Sequence, residues 1–275
     1  KLSRNIALSC EILAAHKLRT LLSITGIVVG IATVVLMVSA GRGAEKKILD
    51  RIRRMGTNLI VVNAGQTRIV AGRQRQTSMV TTLEIDDAQA IAAECASVKL
   101  AAPAVAKKLS TRWEDENANT NVIGITPQGF RIRNIAIAEG RMFDSEEDRA
   151  RRRVAVLGPT AAVNLFGRAD PLGLQIRIGR VPFEVIGLTE SKGMDANGVD
   201  QDDLILVPLG SAMRRLFNVD HIDTIYVQAE SAEVLRRAEI EIRQLLRQRH
   251  RLRDKPDDFT IQNQATLLET EKATA

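Results

Sequence analysis

One uninterrupted apolar segment, residues 21–40, constrains the fold of this chain more than any other feature. It reads LLSITGIVVGIATVVLMVSA and contains no charged side chain. A helix rises about 1.5 Å per residue, so a segment of this length spans roughly 30 Å, the thickness of the hydrocarbon core of a bilayer. The segment therefore predicts a single transmembrane helix. A cleaved signal peptide is the alternative, but the run is longer than a typical signal-peptide core and no A-x-A cleavage site follows it.

Lysines and arginines flank the predicted span on both sides, so their distribution does not settle its orientation. Residues 1–20 predict a helix at the membrane surface, with a plain basic flank as the alternative interpretation. The rule that basic flanks face the cytoplasm also weakens for long translocated domains. The residues alone therefore leave open which side of the membrane the rest of the chain occupies.

Residues 41–56 are predicted to continue the helix beyond the membrane as a stalk. No proline interrupts this segment, and Ile48, Ile52 and Met55 recur at helical spacing before Gly56, a suitable helix C-cap. An apolar stripe of this kind is unfavourable in water unless another helix covers it. We therefore expect stalk packing at these three apolar residues.

Two glycines within the predicted span form a G-x-x-x-G pattern. Gly26 and Gly30 lie one helical turn apart, and small residues at this spacing let two helix backbones approach closely. The same pattern also arises by chance in apolar runs. We expect helix packing at Gly26 and Gly30.

After residue 56 the pattern changes to short strands and helices. The predicted strands are 58–63, 98–110, 120–126, 154–157, 174–178, 181–188, 204–207, 222–228 and 259–262, the predicted helices are 82–94 and 232–249, and a polar mobile loop is predicted at 68–82. The closely spaced strands between 154 and 207 indicate a β-rich module. A strand–helix–strand pattern at each end indicates a second lobe, interrupted by that module.

The chain contains no pattern that indicates catalysis, a cofactor or a metal site. It lacks the Walker A, G-x-S-x-G, H-E-x-x-H and G-x-G-x-x-G motifs. The acidic stretch 195–203 lacks the spacing of a calcium loop and is predicted to be a solvated loop, and residues 114–116 are predicted to form a turn. The 3 histidines are scattered and indicate surface or packing positions. Cys10 and Cys95 flank the predicted span and cannot pair within one inserted chain.

The charge of the chain is basic, with a formal net charge of +6, but aromatic residues make up only 3% of the sequence. Basic residues without interleaved aromatics are a poor signal for single-stranded nucleic acid and fit the basic flanks of a membrane protein better. The run Arg151, Arg152 and Arg153 could bind acidic partners, although a solvated charge run is the default interpretation.

Ten short motifs follow one another along the chain. They are Arg19-Thr20-Leu21-Leu22-Ser23, Gly26-Ile27, Gly30-Ile31, Met55-Gly56-Thr57-Asn58-Leu59-Ile60, Asp170-Pro171-Leu172-Gly173, Ile176-Arg177-Ile178-Gly179, Pro182-Phe183-Glu184-Val185-Ile186-Gly187, Lys192-Gly193, Asp200-Gln201-Asp202-Asp203 and Val207-Pro208. In this order they resemble the MacB/FtsX-like ABC transporter permeases, and the likeness covers nearly the whole chain.

The resemblance implies an α+β chain with one transmembrane helix, extended into a stalk, and a two-lobed extracytoplasmic domain made of a porter-like α/β lobe and an inserted β-rich lobe. The implied divisions are a cytoplasmic juxtamembrane helix at 1–20, the transmembrane helix at 21–40, the stalk at 41–56, the porter-like lobe at 57–140 and 211–265, the β-rich lobe at 141–210 and a linker at 266–275. Three further transmembrane helices are expected to follow residue 275.

In function, the resemblance implies the permease subunit of an ABC export system in the inner membrane, without an ATPase site of its own. Such a permease couples cytoplasmic ATP hydrolysis to movements of a periplasmic domain that extrude a drug, peptide or lipid-like substrate. The expected partners are an ABC ATPase subunit or domain, a second permease protomer, the lipid bilayer, and a periplasmic adaptor with an outer-membrane channel. No cofactor and no nucleic acid are expected. The alternatives are a lipoprotein-releasing permease, an FtsX-like scaffold that regulates cell-wall hydrolases, and a membrane-anchored enzyme.

Overall fold

The computed structural model describes residues 22, 25–39, 58–65, 67–70, 73–76, 81–194 and 199–263. The chain divides into two compact units, Lys1–Arg53 and Arg54–Ala275. In the first unit, residues 25–39 form helix α1, whose side chains are exposed. Within the described part of the chain, no helix combines the length and the apolarity that crossing a membrane requires. The predicted segments 1–20, 41–56 and 266–275 lie outside the described residues.

The second unit is built from strands and short helices. Its strands are β1 (Leu59–Ala64), β2 (Thr67–Val70), β3 (Arg73–Gln76), β4 (Val98–Trp113), β5 (Glu116–Ile125), β6 (Ile137–Gly140), β7 (Val154–Leu157), β8 (Gln175–Ile178), β9 (Val181–Thr189), β10 (Leu204–Pro208), β11 (Thr224–Ala229) and β12 (Phe259–Asn263). Its helices are α2 (Ile85–Glu94), α3 (Pro127–Ile132), α4 (Ser145–Arg149), α5 (Pro159–Phe166), α6 (Leu209–Ser211) and α7 (Leu235–Arg249), with a π-helix at Ala212–Phe217 directly after α6.

Ten of these strands form one sheet, in the order β12-β1-β11-β4-β5-β10-β7-β9-β6, with β8 paired to β4 and β9. The pairs β5–β10 and β7–β9 are parallel, and the other pairs are antiparallel. The 16 residues of β4 explain why the sheet is continuous. Residues 98–104 of β4 pair with β11, whereas Thr111 and Arg112 near its other end pair with β8.

Apolar side chains pack on both faces of the sheet. Because successive residues of a strand point to opposite faces, Ile205 and Val207 of β10 join the larger core cluster, while Leu204 and Leu206 join a second cluster. Phe130 and Phe143 meet edge to face in the second cluster, with ring centroids 5.0 Å apart. Full burial of a large apolar side chain is worth about 1.5–3 kcal/mol, so both faces contribute to stability.

Helix α7 covers part of the larger cluster. Its buried residues Leu235, Ala238, Ile242 and Leu246 recur every three or four positions, so they form one apolar stripe along the helix. Basic residues in its last turn suit the negative end of the helix dipole.

The structure confirms all nine predicted strands and both predicted helices of this unit, with shifts at their ends. The predicted loop at 68–82 is wrong in part, because β2 and β3 pair there as an antiparallel hairpin. Sequence analysis missed β6, α3, α4, α5 and the π-helix, whose lengths of four to eight residues are too short to show a period. One sheet holds strands from both parts of the predicted two-lobed division, and that division stays a prediction.

Candidate functional site

The two glycines predicted to pack helices lie in α1, one turn apart. A side-chain carbon added at Gly26 or at Gly30 would meet nothing within 4 Å, so this strip of the helix surface is open. An open strip of glycine backbone is the geometry that close helix pairing needs. Packing at these glycines stays a prediction, and the predicted stalk residues Ile48, Ile52 and Met55 lie outside the described residues.

A buried carboxylate organises the segment that carries the Lys192-Gly193 and Asp200–Asp203 motifs. Asp202 is only 6% exposed. It accepts hydrogen bonds from the Ser191 hydroxyl at 2.5 Å, the Lys192 backbone N–H at 2.7 Å and the Gly193 backbone N–H at 3.0 Å. The prediction of a solvated loop at 195–203 is therefore wrong for Asp202, whereas residues 195–198 lie outside the described part of the chain.

The side chain of Lys192 connects this segment to helix α3. Its Nζ donates a hydrogen bond to the backbone carbonyl of Arg133, at 2.5 Å. Burial lowers the pKa of Lys192 to about 8. Repulsion from the Arg133 guanidinium also lowers this pKa, whereas attraction to the Asp202 carboxylate raises it. The Arg133 guanidinium in turn lies 4.9 Å from the ring centroid of Tyr226 on β11. These contacts fix the segment in place, and they supply no nucleophile–base pair.

A second charged cluster joins α2, α7 and the turn before β12. The imidazole of His250 contacts Asp258 through Nδ1 at 2.8 Å and Asp87 through Nε2 at 3.2 Å. The Arg249 Nε also donates to Asp87, at 2.7 Å. Asp87 further accepts the backbone N–H of Glu84, which completes the capping box of α2. The sequence prediction that the histidines occupy surface or packing positions missed this role of His250.

The pKa values in this cluster follow from its contacts. Hydrogen bonding to Asp87 raises the pKa of His250 to about 9; burial opposes this shift and Asp258 adds to it. Burial raises the pKa of Asp87, but hydrogen bonds from His250 and Arg249 outweigh it and lower the pKa to about 2. The cluster is therefore ionised around neutral pH and acts as a tie between elements. Among the described residues, no group of three or more His, Cys, Asp or Glu side chains could hold a metal ion.

Comparison with known proteins gives a consistent result. Residues 20–245 match the family described as MacB-like periplasmic core domain. A macrolide export ATP-binding/permease protein MacB from Bdellovibrio bacteriovorus is 34% identical over 267 residues, which is 96% of this chain and 41% of that protein. The protein of the same name from Chlorobium luteolum is 36% identical over 255 residues, 93% of this chain and 38% of that protein. The chain thus spans 38–41% of the length of these two relatives.

Solved structures share the fold. The periplasmic region of MacB from Actinobacillus actinomycetemcomitans superposes with a TM-score of 0.68 at 24% identity, over 83% of this chain and 99% of that one. The extracellular domain of the noncanonic ABC-type transporter YknZ from Gram-positive bacteria gives a TM-score of 0.60 at 20% identity, over 75% of this chain and 100% of that one.

Proposed function

Because the chain belongs to the MacB-like periplasmic core domain family, we propose that it is a permease component of an ABC-type export system. The family match over residues 20–245 carries this proposal. The named relatives are ATP-binding/permease proteins for macrolide export. Their names favour a drug as the extruded substrate over a peptide or a lipid-like molecule. A lipoprotein-releasing permease and an FtsX-like scaffold are the alternatives.

The proposed permease crosses the inner membrane at residues 21–40. The apolar, uncharged segment supports this assignment, as do the exposed apolar side chains of α1, such as Ile27 at 63% and Val34 at 63%. Side chains of this kind are unfavourable in water by roughly 25 cal/mol per Å² of apolar surface, and lipid would cover them. In the proposed topology, residues 1–20 are cytoplasmic and the large domain is periplasmic or extracellular.

The proposed mechanism transmits movement from a cytoplasmic ATPase to the external domain. A helix continuous from residue 21 to residue 56, with Gly26, Gly30 and the Ile48, Ile52 and Met55 stripe as packing faces, would act as a lever between two permease protomers. Strand β1 begins at Leu59, three residues after Gly56, and it pairs with both β11 and β12. A displacement of the stalk would therefore act directly on the sheet.

Two lobes would then respond to that displacement. In the proposed division, the porter-like lobe consists of residues 57–140 and 211–265, and the β-rich lobe of residues 141–210. Strands β1, β4, β5, β6, β11 and β12 of the large sheet fall in the first range and strands β7 to β10 in the second. The sheet crosses the proposed division where β4 pairs with β8, β5 with β10 and β6 with β9. The proposed partners are an ABC ATPase subunit or domain, a second permease protomer, a periplasmic adaptor and an outer-membrane channel.

ATP-dependent transport tests the proposal. The full-length protein that contains this chain, reconstituted with its ATPase and adaptor, should move a macrolide only when ATP is hydrolysed. Leu49→Pro should abolish transport but leave ATP binding intact, because proline inside a helix costs about 3 kcal/mol or more and kinks it. Leu49→Ala is the matched control and should transport normally. Gly30→Leu should weaken packing within the membrane.

Each outcome separates the candidates. Transport by Leu49→Pro at the wild-type rate, at equal expression, would reduce the stalk to a tether. Release of lipoprotein to a soluble carrier, without macrolide movement, would favour the lipoprotein-releasing permease. If ATP changes only the activity of cell-wall hydrolases, the scaffold alternative holds.

Thiol labelling tests the proposed topology. Cys95 is buried, so an exposed position in the domain is needed as a reporter. Lys108→Cys in a Cys10→Ser background should react with a membrane-impermeant thiol reagent in intact spheroplasts, because Lys108 is exposed. Cys10 in the otherwise unchanged chain should react only after the membrane is permeabilised. The reverse pattern would overturn the topology.

A further inference from the structure

An open cleft of about 380 Å³ lies between the end of α4, strand β9 and the π-helix. Its charged lining consists of Arg151, Arg152 and Arg153, which follow α4, together with Arg215 of the π-helix and Glu184 of β9. Four arginines and one glutamate therefore line the cleft. The arginine run alone indicated a solvated charge run, and the fold adds Arg215 to it from 62 residues further along the chain (215 − 153).

The acidic side chains near the cleft are engaged elsewhere. Glu147 of α4 forms an ion pair with Arg141 at 2.8 Å. Asp148 accepts the backbone N–H of Gly210 at 3.1 Å. The next acid, Asp220, pairs at 2.6 Å with Arg214, the neighbour of Arg215. Among the described residues, none of the four cleft arginines forms an ion pair with a carboxylate, although the charge of Arg152 acts on Glu147. Positive charge therefore exceeds negative charge in the cleft lining.

The backbone of the arginine run is held in place although its side chains are exposed. The buried hydroxyl of Ser211 donates to the carbonyl of Arg152 at 2.7 Å. The carbonyl of Arg153 accepts the N–H of Glu184 at 2.9 Å. Arg151 has a φ of 52°, a left-handed conformation that residues with a side chain rarely adopt.

Two further features of the cleft point to a site rather than to an incidental charged surface. A side-chain carbon at position 210 would lie 3.1 Å from the Cγ of Arg151, so the glycine there lets the arginine side chain pass. The π-helix that carries Arg215 is a rare element that occurs often at functional sites.

We propose that this cleft binds a small, multiply charged oxyanion. A guanidinium group presents a planar fork of donors that matches the oxygens of phosphate or carboxylate. Four such groups against one acid favour a ligand that carries more than one negative charge. The cleft volume lies within the range of small-ligand sites, and its lining is dominated by charged groups. This site goes beyond the proposed transport function and does not depend on it.

Calorimetric titration with inorganic pyrophosphate tests the site. The purified 275-residue chain in detergent, at low ionic strength, should bind pyrophosphate saturably with one site per chain. Arg153→Gln combined with Arg215→Gln should weaken the affinity about tenfold or more, because the charge-assisted hydrogen bonds from both guanidinium groups to the anion are lost. Arg236→Gln is the control for the single variant Arg215→Gln. It removes one exposed positive charge on α7, outside the cleft, and should leave the affinity within about twofold.

Three results would overturn the proposal. They are the absence of saturable binding to the wild-type chain, an equal loss of affinity in the Arg236→Gln control, and binding of hexaglutamate without binding of pyrophosphate. The last would assign the cleft to an acidic protein segment. A parallel titration with citrate distinguishes a phosphate site from a more general oxyanion site. Binding of both pyrophosphate and citrate, with the same dependence on Arg153 and Arg215, supports a site for oxyanions in general. Binding of pyrophosphate without citrate supports a phosphate site. Circular dichroism checks the fold, and Arg215→Gln alone gives the same readout if the double variant does not fold.

Discussion

His250 and Asp87 form a contact between the end of α7 and the first turn of α2, with the imidazole Nε2 3.2 Å from a carboxylate oxygen. The His250 side chain is 8% exposed and that of Asp87 is 5% exposed. Two charges at this depth are favourable only because each has further partners, Asp258 for the histidine and Arg249 for the aspartate. The contact therefore makes the attachment of α7 to α2 dependent on pH.

The first prediction concerns the pH dependence of stability. The pKa of His250 is raised from 6.5 to about 9. Its protonation therefore stabilises the fold fully below a pH of about 6.5, and this stabilisation is lost as the pH rises through about 9. His250→Asn should lower the free energy of unfolding by roughly 1–3 kcal/mol near pH 6, and the difference from wild type should shrink towards pH 10.

Urea denaturation, followed through the fluorescence of Trp113, measures this difference. Trp113 is the single tryptophan of the sequence, and it packs against Phe166 with ring centroids 4.6 Å apart. His221→Asn is the control, because His221 lies outside the cluster. A difference that stays constant from pH 6 to pH 10 would show that His250 does not titrate as its contacts require.

The second prediction concerns Asp202. Asp202→Asn keeps the size of the side chain but replaces one of its two acceptor oxygens with an amide NH2, which cannot accept a hydrogen bond. The variant therefore loses either the bond from Lys192 to one oxygen or the bonds from Ser191 and Gly193 to the other. The free energy of unfolding should fall by roughly 1–3 kcal/mol, the penalty of leaving buried donors unsatisfied. Glu190, which precedes Ser191, is exposed, and Glu190→Gln is the control. It should change the free energy of unfolding by less than about 0.5 kcal/mol. Equal stability of both variants in urea would refute the role assigned to Asp202.

The third prediction concerns Gly158, which precedes α5. A side-chain carbon at this position would collide with the backbone carbonyl oxygen of Asp202, and the backbone cannot yield as a flexible side chain would. Gly158→Ala should therefore lower the free energy of unfolding by about 1–3 kcal/mol, although its φ of −76° suits alanine. Thermal unfolding measures the effect. Gly30→Ala, where the space is open, should leave the domain transition unchanged.

The fourth prediction concerns the thiol of Cys95. Burial raises its pKa to about 11, with Glu241 and Glu94 adding to the shift. Since the thiolate is the reactive form, Cys95 in a Cys10→Ser background should resist a chromogenic disulfide reagent at pH 8 and react after unfolding in urea. Lys99→Cys, an exposed position on β4, is the comparison in a background without Cys10 and Cys95. Reaction of native Cys95 at the rate of that exposed cysteine would contradict its burial.

The sequence predicted the strands well because their signal is local. In β10 the four apolar residues Leu204, Ile205, Leu206 and Val207 alternate between two cores, so a continuous apolar run indicates a buried strand. The short helices gave weaker signals. Pro159 at the start of α5 and the Asp144 and Glu147 capping box of α4 are their start signals, but no apolar period follows.

The charged clusters escaped prediction for a different reason. Asp87 and His250 are 163 residues apart, and only the sheet brings α2 and α7 together. Asp202 lies in an acidic stretch whose composition indicates solvent exposure, yet the turn at Ser191 encloses it. No local pattern reports such pairings, because they depend on which strands become neighbours.

Strands β1 and β12, the first and last strands of the domain in chain order, place its two ends at one corner of the sheet. Ile60 is opposite Asn263 and Ala64 is opposite Phe259, so residues 58 and 263 leave the antiparallel pair on the same side. Pulling these two ends apart would break the hydrogen bonds between β1 and β12 one after another, as in unzipping, with little resistance at each step. Shifting both ends together would not separate the two strands, so these bonds would stay intact and the domain would move as a body. The geometry thus resists a shared displacement far better than a separating one, so the segments attached at this corner must travel as a pair for the domain to move intact.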